Sequence, residues 1–214
     1  MMDRGLPIVA TLALILFTVE LAASQERTTD QVAVTVSILR DQVVAVTAGE
    51  GLVSVGLTSD DRLLGIEARG LNALVVTSTR LLGFSAQVQR WSEQRLNLNE
   101  QVLDRKVTSR LILVRSDRRV FGFQGTLGGF WKVEDLNRLG DDFQQILVGA
   151  HVAVVLTNRR ALAFSAFTGG FFIKDLSTED PVIETTVNDN IVILSTVNRR
   201  LIFRSQLAAW AELR

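Results

Sequence analysis

The segment HVAVVLTNRRALAFSAFTGGFFIKDLSTEDPVIETTV, residues 151–187, holds four short apolar runs separated by polar or glycine-containing turns. The first run, residues 151–157, is continuously apolar after its histidine, as a strand buried on both faces would be. Asn158-Arg159 and Thr168-Gly169-Gly170 supply the first two turns. Short strands with turn signals every 8–12 residues are typical of an all-β fold.

The same arrangement recurs along the chain: an apolar run, a polar turn that ends in arginine, and a second apolar run. Copies begin at Asn72, Arg110, His151 and Asn190, and a weaker copy occupies residues 31–49. We therefore expect five units of about forty residues, each with four strands, which is the size of a propeller blade. The arginines that align the units are Arg40, Arg80, Arg119, Arg160 and Arg200.

In the spacing and composition of these units, residues 25–214 resemble the β-propeller superfamily, although the paired His and Trp-Asp signature of WD40 blades is absent. The resemblance implies an all-β, five-bladed propeller. The last unit supplies only three strands from Asn190 to the end of the sequence. Residues 26–31 resemble residues 184–190, so we predict that an N-terminal strand completes the last blade and leaves no unpaired gap.

The first 24 residues have the pattern of a secretion signal. An apolar run at residues 6–19 follows Arg4 and precedes Ala22-Ala23-Ser24, which suits cleavage before Gln25. The run is shorter than the roughly 20 residues of a membrane-spanning helix. We predict a signal peptide at 1–24, a propeller at 25–214, and a periplasmic or secreted protein. The alternative is an uncleaved membrane anchor at residues 6–23, because Asp3 offsets Arg4.

The composition excludes several kinds of site. The 23 basic and 23 acidic side chains balance, so no charge excess points to nucleic acid. The sequence has no cysteine, which rules out disulfides and thiolate metal ligands. No phosphate-binding glycine loop or nucleophile motif occurs, and we predict no cofactor and no metal. Membrane contact is expected only through an uncleaved N-terminal segment.

The propeller resemblance implies a candidate ligand site at the mouth of a central channel, where the first strand of each blade would begin. One interpretation is a site for an anionic or hydroxyl-bearing small molecule, with Arg110 gripping a carboxylate or phosphate. The other is that these strand ends are polar because water solvates them. The chain's only histidine has no partner for a histidine-based metal site. The candidate residues are Gln31, Asn72, Arg110, His151 and Asn190.

Large aromatic residues begin the third strand of four units. They would either stack against a glycan beside the mouth or fill the gaps between neighbouring blades. The first unit has Leu52-Val53 at this place, which favours packing. The four residues are Trp91, Trp131, Phe172 and Trp210.

The arginine turns would share one face with the acidic turns between third and fourth strands. They could present a basic ring to anionic lipids or acidic partners. Local salt bridges are the simpler alternative, and exposed pairs of this kind contribute about 0–1 kcal/mol each. The acidic turns carry Asp60-Asp61, Glu100, Asp141-Asp142 and Glu179-Asp180.

Three functions fit this pattern. The first is an exported, non-catalytic interaction or scaffold module that binds another envelope or extracellular protein. The second is a lectin-like propeller that binds a glycan or an anionic small molecule. The third is a glycoside hydrolase, by fold analogy alone. Hydrolysis usually needs two flanking carboxylates, and only Asp30, Asp189 and Glu50 lie near the predicted mouth.

Overall fold

A computed structural model describes residues 34–48, 51–136 and 140–214. These residues form nineteen strands in five antiparallel sheets that follow one another along the chain. The all-β fold class and the repeat are confirmed. Within the described ranges, no helix is long and apolar enough to cross a membrane. The predicted signal at 1–24 lies outside these ranges.

Each sheet is built from strands that are consecutive in sequence. The first sheet contains β1 (Val34–Leu39), β2 (Gln42–Thr47) and β3 (Leu52–Gly56). The second contains β4 (Leu63–Arg69), β5 (Asn72–Thr77), β6 (Arg80–Ser85) and β7 (Arg90–Arg95). The third contains β8 (Val102–Val107), β9 (Leu111–Ser116), β10 (Arg119–Gln124) and β11 (Phe130–Asp135).

The last two sheets repeat this order. The fourth contains β12 (Phe143–Val148), β13 (Val152–Thr157), β14 (Arg160–Ser165) and β15 (Phe171–Asp175). The fifth contains β16 (Val182–Val187), β17 (Ile191–Thr196), β18 (Arg200–Arg204) and β19 (Ala209–Leu213). By the lengths of their hairpins, the three strands of the first sheet correspond to the second, third and fourth strands of the others.

The sheets begin one strand earlier than the sequence units, which corrects the predicted grouping. Strand β16, expected to close the unit from His151, pairs with β17 and opens the fifth sheet. The short loop at 188–190 makes β16 and β17 antiparallel neighbours, whereas the longer loop at 176–181 carries the chain between sheets. The fifth sheet therefore takes four strands from residues 182–213. The predicted closing strand, residues 26–31, lies outside the described ranges.

The second and third strands of each sheet form the core. All six residues of β5 and of β13 are buried, whereas the outer strands are partly exposed. Hydrophobic clusters fill the space between each pair of consecutive sheets. In the second to fifth sheets, the third strand places a fully buried phenylalanine at the same position: Phe84, Phe123, Phe164 and Phe203.

Glycines let these phenylalanines pack closely against the preceding sheet. A Cβ atom on Gly83 would lie 2.8 Å from the ring of Phe123, and one on Gly122 would overlap the ring of Phe164. A glycine is therefore needed at both positions because the neighbouring ring occupies the place of a side chain. The five sheets pack face to face in this way, as propeller blades do.

We expect Gly122→Ala to lower the free energy of unfolding by about 1–3 kcal/mol, because the added methyl overpacks the ring of Phe164. The matched control is Gly56→Ala in β3, where a Cβ would meet nothing within 4 Å. Its effect should stay within about 0.5 kcal/mol. Urea unfolding followed by tryptophan fluorescence measures both values. Equal effects in the two variants would contradict this account of the packing.

Candidate functional site

The sheets have two ends that carry different polar groups. At the arginine end of sheets two to five, the second strand turns into the third through residues 78–79, 117–118, 158–159 or 197–199. At the opposite end, here the His151 end, each first strand turns into the second at residues 70–71, 108–110, 149–151 or 188–190. Most predicted site residues lie at the His151 end, and the salt bridges of Arg80, Arg119, Arg160 and Arg199 lie at the arginine end.

The predicted mouth residues do not begin the first strand of a sheet. Arg110, His151 and Asn190 stand immediately before β9, β13 and β17, which are second strands. Asn72 is one position further into the sheet, because it pairs with Ser85 inside the ladder, and it is fully buried. The sequence pattern places the edge strand that precedes each apolar strand in the previous unit. In the structure, that edge strand is the first strand of the same sheet. Gln31 lies outside the described residues.

Polar groups at the His151 end hydrogen-bond across neighbouring sheets. The Asn72 Nδ2 donates to the carbonyl oxygen of Thr108 at 3.0 Å. The Thr108 hydroxyl donates to the carbonyl oxygen of Ala150 at 3.3 Å. The backbone N–H of His151 donates to the carbonyl oxygen of Asp189 at 2.8 Å. These bonds give much of the predicted polar ring a structural role.

In the second, third and fourth sheets, the last residue of the third strand adds a second set of bonds between sheets. The Ser85 hydroxyl donates to the Gly125 carbonyl oxygen. The Gln124 Nε2 donates to the Ala166 carbonyl oxygen at 3.0 Å. The Ser165 hydroxyl donates to the Ser205 carbonyl oxygen at 2.7 Å. Each donor thus points from its own sheet toward the next one along the chain.

His151 is half-buried between Arg110 and Asn190. Its ring stacks on Phe167 with 4.9 Å between centroids, and its Nδ1 has no hydrogen-bond partner. Burial lowers the pKa of His151, the positive charge of Arg110 lowers it further, and Asp189 and Asn190 oppose both effects. The imidazole is therefore neutral at physiological pH.

The residues around His151 offer hydrogen bonds but no metal site. A cavity of about 320 Å³ opens at the same end of the fifth sheet, lined by Asn190, Ile191, Arg204, Gln206 and Leu207. Across the described residues, no group of three or more histidine, aspartate or glutamate side chains is placed to hold a metal ion.

The predicted aromatic residues lie between sheets. The Trp91 ring packs on Phe84 with 5.1 Å between centroids, and Trp131 packs on Phe123 at 5.0 Å. The indole N–H of Trp91 donates to the Val53 carbonyl oxygen of the preceding sheet at 2.9 Å. These contacts support packing between blades and give no support to glycan stacking. Trp131 donates in the same way to Ser92, and Trp210 to Phe172.

We expect Trp131→Phe to lower the free energy of unfolding by about 1 kcal/mol, because the phenyl ring keeps the contact with Phe123 but loses the bond to Ser92. Trp131→Ala also removes the ring and should cost about 3–5 kcal/mol. Urea unfolding followed by circular dichroism separates the two losses. Equal stabilities for the phenylalanine variant and the unaltered protein would show that the indole bond contributes nothing.

The arginine end carries one repeated unit that sequence inspection missed. We call it the clamp: a carboxylate, a hydroxyl 16 residues later and an arginine 19 residues after the carboxylate. The hydroxyl and the arginine both donate to the carboxylate. The spacing itself could have revealed it. The four clamps are Asp61–Thr77–Arg80, Glu100–Ser116–Arg119, Asp141–Thr157–Arg160 and Asp180–Thr196–Arg199.

The carboxylate side chain of each clamp is at most 11% exposed, and the first three clamps also bond to the preceding sheet. The Arg80 Nη2 donates to Asp61 Oδ2 at 2.6 Å and to the Gly56 carbonyl oxygen at 2.7 Å. The side chain of Asp61 is 0% exposed and that of Arg80 is 12% exposed. Local neutralisation by salt bridges is confirmed, but the expectation of exposed pairs is wrong. Arg119 and Arg160 donate likewise to the carbonyl oxygens of Arg95 and Asp135.

The strand pairing corrects two of the aligning arginines. Ser195 pairs with Arg200, so Arg199 stands opposite Thr196 and forms the fifth-sheet clamp. Because arginine occupies both positions 199 and 200, the sequence alone could not tell which of the two aligns with Arg80, Arg119 and Arg160. Arg40 lies in the hairpin turn of the first sheet with a φ of 55°.

The first sheet has no clamp at its described hairpin. Leu39 and Gln42 pair across this turn, where the other sheets place the hydroxyl and the arginine. The groups that would tie this sheet to a preceding one are therefore replaced by side chains that cannot form the ion pair.

The clamps differ in the group that the third guanidinium nitrogen, Nη1, contacts. The Nη1 of Arg80 bonds Glu93, and the Nη1 of Arg199 bonds Glu212 at 3.2 Å. In the fourth sheet, the equivalent position is Ile173, and Arg160 Nη1 is buried without a partner. A cavity of about 540 Å³ lies beside this clamp, lined by Asp141, Arg159, Arg160, Asp175, Leu176, Ser177 and Thr178.

The clamps stabilise the ionised form of their carboxylates. Burial raises the pKa of Asp61, but hydrogen bonds from Arg80, Thr79 and Thr77 outweigh it and hold the pKa well below its usual range. Burial and hydrogen bonds from Arg119 and Ser116 act in the same opposed way on Glu100, whose pKa is also lowered. The ionised carboxylates therefore add stability at neutral pH.

We expect Asp61→Asn to lower the free energy of unfolding at pH 7 by about 3–5 kcal/mol, because the buried Arg80 loses its partner. The unfolded-state pKa of aspartate is about 3.9. The stability that ionised Asp61 adds is complete above that value and is lost as the pH falls through the lower folded-state pKa. The difference between the two proteins should therefore shrink below about pH 4.

The control for this prediction is Asp60→Asn, which changes the exposed neighbouring carboxylate. Its effect at pH 7 should stay within about 0.5 kcal/mol. Urea unfolding at pH 7, 4 and 3 provides the comparison. A stability gap for Asp61→Asn that keeps its full size at pH 3 would contradict the clamp's electrostatic role.

No protein-family model matches the chain, and no curated protein matches it. Solved structures with a similar fold include Hsv2 of Kluyveromyces lactis, which is 12% identical with a TM-score of 0.36 over 86% of this chain and 61% of Hsv2. The WD40 domain of SCAP from fission yeast is 9% identical with a TM-score of 0.33 over 85% of this chain and 55% of that domain.

HIRA(644-1017) is 12% identical with a TM-score of 0.39 over 80% of this chain and 51% of its own. The chain spans about three fifths of the length of the Hsv2 structures that it matches. These solved structures are WD40 or β-propeller proteins, in keeping with the resemblance seen in the sequence, and no specific family is indicated. The blade assignment rests on the five packed sheets of this chain.

Proposed function

We propose that residues 25–214 form an exported, non-catalytic module that binds another protein. The observation that carries the proposal is an apolar face on the fifth sheet that no other described sheet covers. Monomeric soluble proteins rarely expose contiguous apolar surface of this kind unless it is an interaction site. The propeller fold is compatible with a protein that acts as an interaction scaffold.

The strands of the fifth sheet differ from the equivalent strands in their burial. Every residue of β13 is buried, whereas in β17 buried and half-buried residues alternate. Val192 and Leu194 pack against the fourth sheet, so their neighbours point the other way. We call this other surface the open face; its apolar residues are Ile191, Ile193, Ile202, Ala209, Ala211 and Leu213.

The open face is continuous across three strands. Ile193 pairs with Ile202, and Ile202 pairs with Ala211, so the three side chains lie side by side. Leu213 at the edge is 55% exposed. Among the described residues, the hydrophobic clusters join the first sheet to the second and so on to the fifth, and none joins the fifth sheet to the first.

A non-catalytic role agrees with the use made of the polar residues. Asn72, Thr108 and the backbone of His151 are occupied in bonds between sheets. Of the carboxylates considered for hydrolysis, Asp30 and Glu50 lie outside the described residues. Asp189 accepts a bond from His151 through its backbone.

Export is supported by the sequence alone. The apolar run at 6–19 is followed by small residues at 22 and 24, as in secretion signals. A periplasmic or secreted location, with cleavage before Gln25, remains part of the proposal, as does the anchor at 6–23 as its alternative. The proposed partner is another envelope or extracellular protein. Ring closure through residues 26–31 also remains a proposal; the fifth sheet already has four strands, so this segment would add to it and would not fill a gap.

We expect a photo-crosslinking amino acid at Ile193, in the full chain expressed in its own cells, to form a discrete covalent product with another protein. The matched control is the same substitution at Leu98, which is 86% exposed in the loop between the second and third sheets. Adding Ile202→Asp should abolish the product at 193, because a carboxylate disrupts the apolar contact.

Gel mobility and mass spectrometry identify the crosslinked products. A product at 193 that survives Ile202→Asp, or equal products at 193 and 98, would count against an interface at the open face. The absence of any intermolecular product at 193 would reject the proposed function.

A further inference from the structure

We infer that the partner of the open face presents an apolar surface with carboxylate side chains, which Arg204 and Arg200 bind. The inference rests on the proposed function and adds the chemistry of the partner. It comes from a comparison of the fifth sheet with the second, third and fourth sheets, whose corresponding face is covered by the sheet that follows.

Arg204 occupies the position that reaches toward the next sheet elsewhere in the fold. It pairs with Ile191, as Ser85 pairs with Asn72 and Ser165 pairs with Val152. At this position the second and fourth sheets use serine to hydrogen-bond a carbonyl oxygen of the sheet that follows. A donor at this place therefore contacts whatever covers the face, and the fifth sheet supplies a guanidinium there.

Arg200 is a second substitution on the same face. It pairs with Ser195, and the equivalent residues of the other sheets are the buried apolar residues Leu81, Val120 and Ala161. Arg200 and Arg204 are four residues apart on one strand, so they lie on the same face with Ile202 between them. Both arginines are exposed. The open face is thus an apolar strip with a cation at each end.

The two arginines are available to a partner. Among the described residues, no ion pair involves Arg200 or Arg204. Glu184 also lies on this face, because it pairs with Ser195, but no ion pair joins it to either arginine. A guanidinium binds carboxylate with two parallel hydrogen bonds and gains strength when the partner excludes water. The charge pattern therefore selects an apolar surface with acidic residues.

The first sheet of a second copy does not have this chemistry. Its outer face carries no carboxylate in its strands; the residues there are Thr35, Ser37, Leu39, Gln42, Val44, Val46, Leu52 and Ser54. It also has Leu52 where each of the other four sheets has a tryptophan or phenylalanine that bonds or packs against the preceding sheet. The occupant that fits is a different protein.

The test uses two synthetic peptides, one alternating valine and glutamate and one alternating valine and lysine, titrated calorimetrically into the full chain. We expect the glutamate peptide to bind and the lysine peptide to bind at least about tenfold more weakly. Arg204→Glu should weaken the glutamate peptide about tenfold and strengthen the lysine peptide. The matched control is Arg62→Glu, at an exposed arginine between the first two sheets, which should change neither.

Equal binding of both peptides, or binding unaffected by Arg204→Glu, would overturn the carboxylate chemistry. The crosslinks from position 193 would still decide the proposed function separately. Two other occupants of the open face can be detected directly, and either of them would reject the inference. Self-association of the chain alone in sedimentation, lost in Arg204→Glu, would assign the face to a second copy. A crosslink from 193 to residues 1–33 would assign it to the chain's own N-terminal segment.

Discussion

The contact between consecutive sheets is the interaction on which the fold depends. A single twisted sheet of short strands buries too little apolar surface to be stable alone. Stability must therefore come from faces that pack against the next sheet, as in other repeat architectures. The rings of Phe123 and Phe164 reach the backbone of the preceding sheet only because Gly83 and Gly122 leave room for them. Without these close approaches the strands would lack a common core.

The clamps solve a second problem, which is how to end each sheet at the arginine side without leaving polar groups unpaired. The last carbonyl of a fourth strand has no partner within its own ladder, and Arg80 bonds such an oxygen at Gly56. A buried guanidinium needs a counter-charge, which Asp61 supplies together with acceptors for the hydroxyls of Thr77 and Thr79. The protein has no cysteine, so these polar ties and the packing take the place of covalent links.

Much of the fold could be predicted from the sequence, because apolar runs and turn residues repeat with a period that matches one sheet. The turn residues also predicted ion pairs at one end of the sheets. The grouping of strands failed, because a strand such as β16 is amphipathic and its partner is decided by loop length and not by its own residues. Burial of Asp61 and the choice of Arg199 over Arg200 depend on register, which a shift of one residue changes. The open face could not be predicted, since its apolar residues follow the same alternation as covered ones.

The two ends of the array are chemically unequal, and this inequality gives the molecule a direction. Sheets two to five each carry an arginine that forms a clamp, whereas the first sheet has Gln42 in that place and so has no equivalent means of attachment to a sheet before it. The fifth sheet keeps an apolar face but replaces the serine type of donor with Arg204. If the fifth sheet packed against the first sheet through the same kind of interface as the other pairs, both sheets would need the clamp and donor groups that the other sheets share. Their loss at one end, with cations at the other, is what we expect if the open face binds a surface unlike the protein's own sheets, as proposed above.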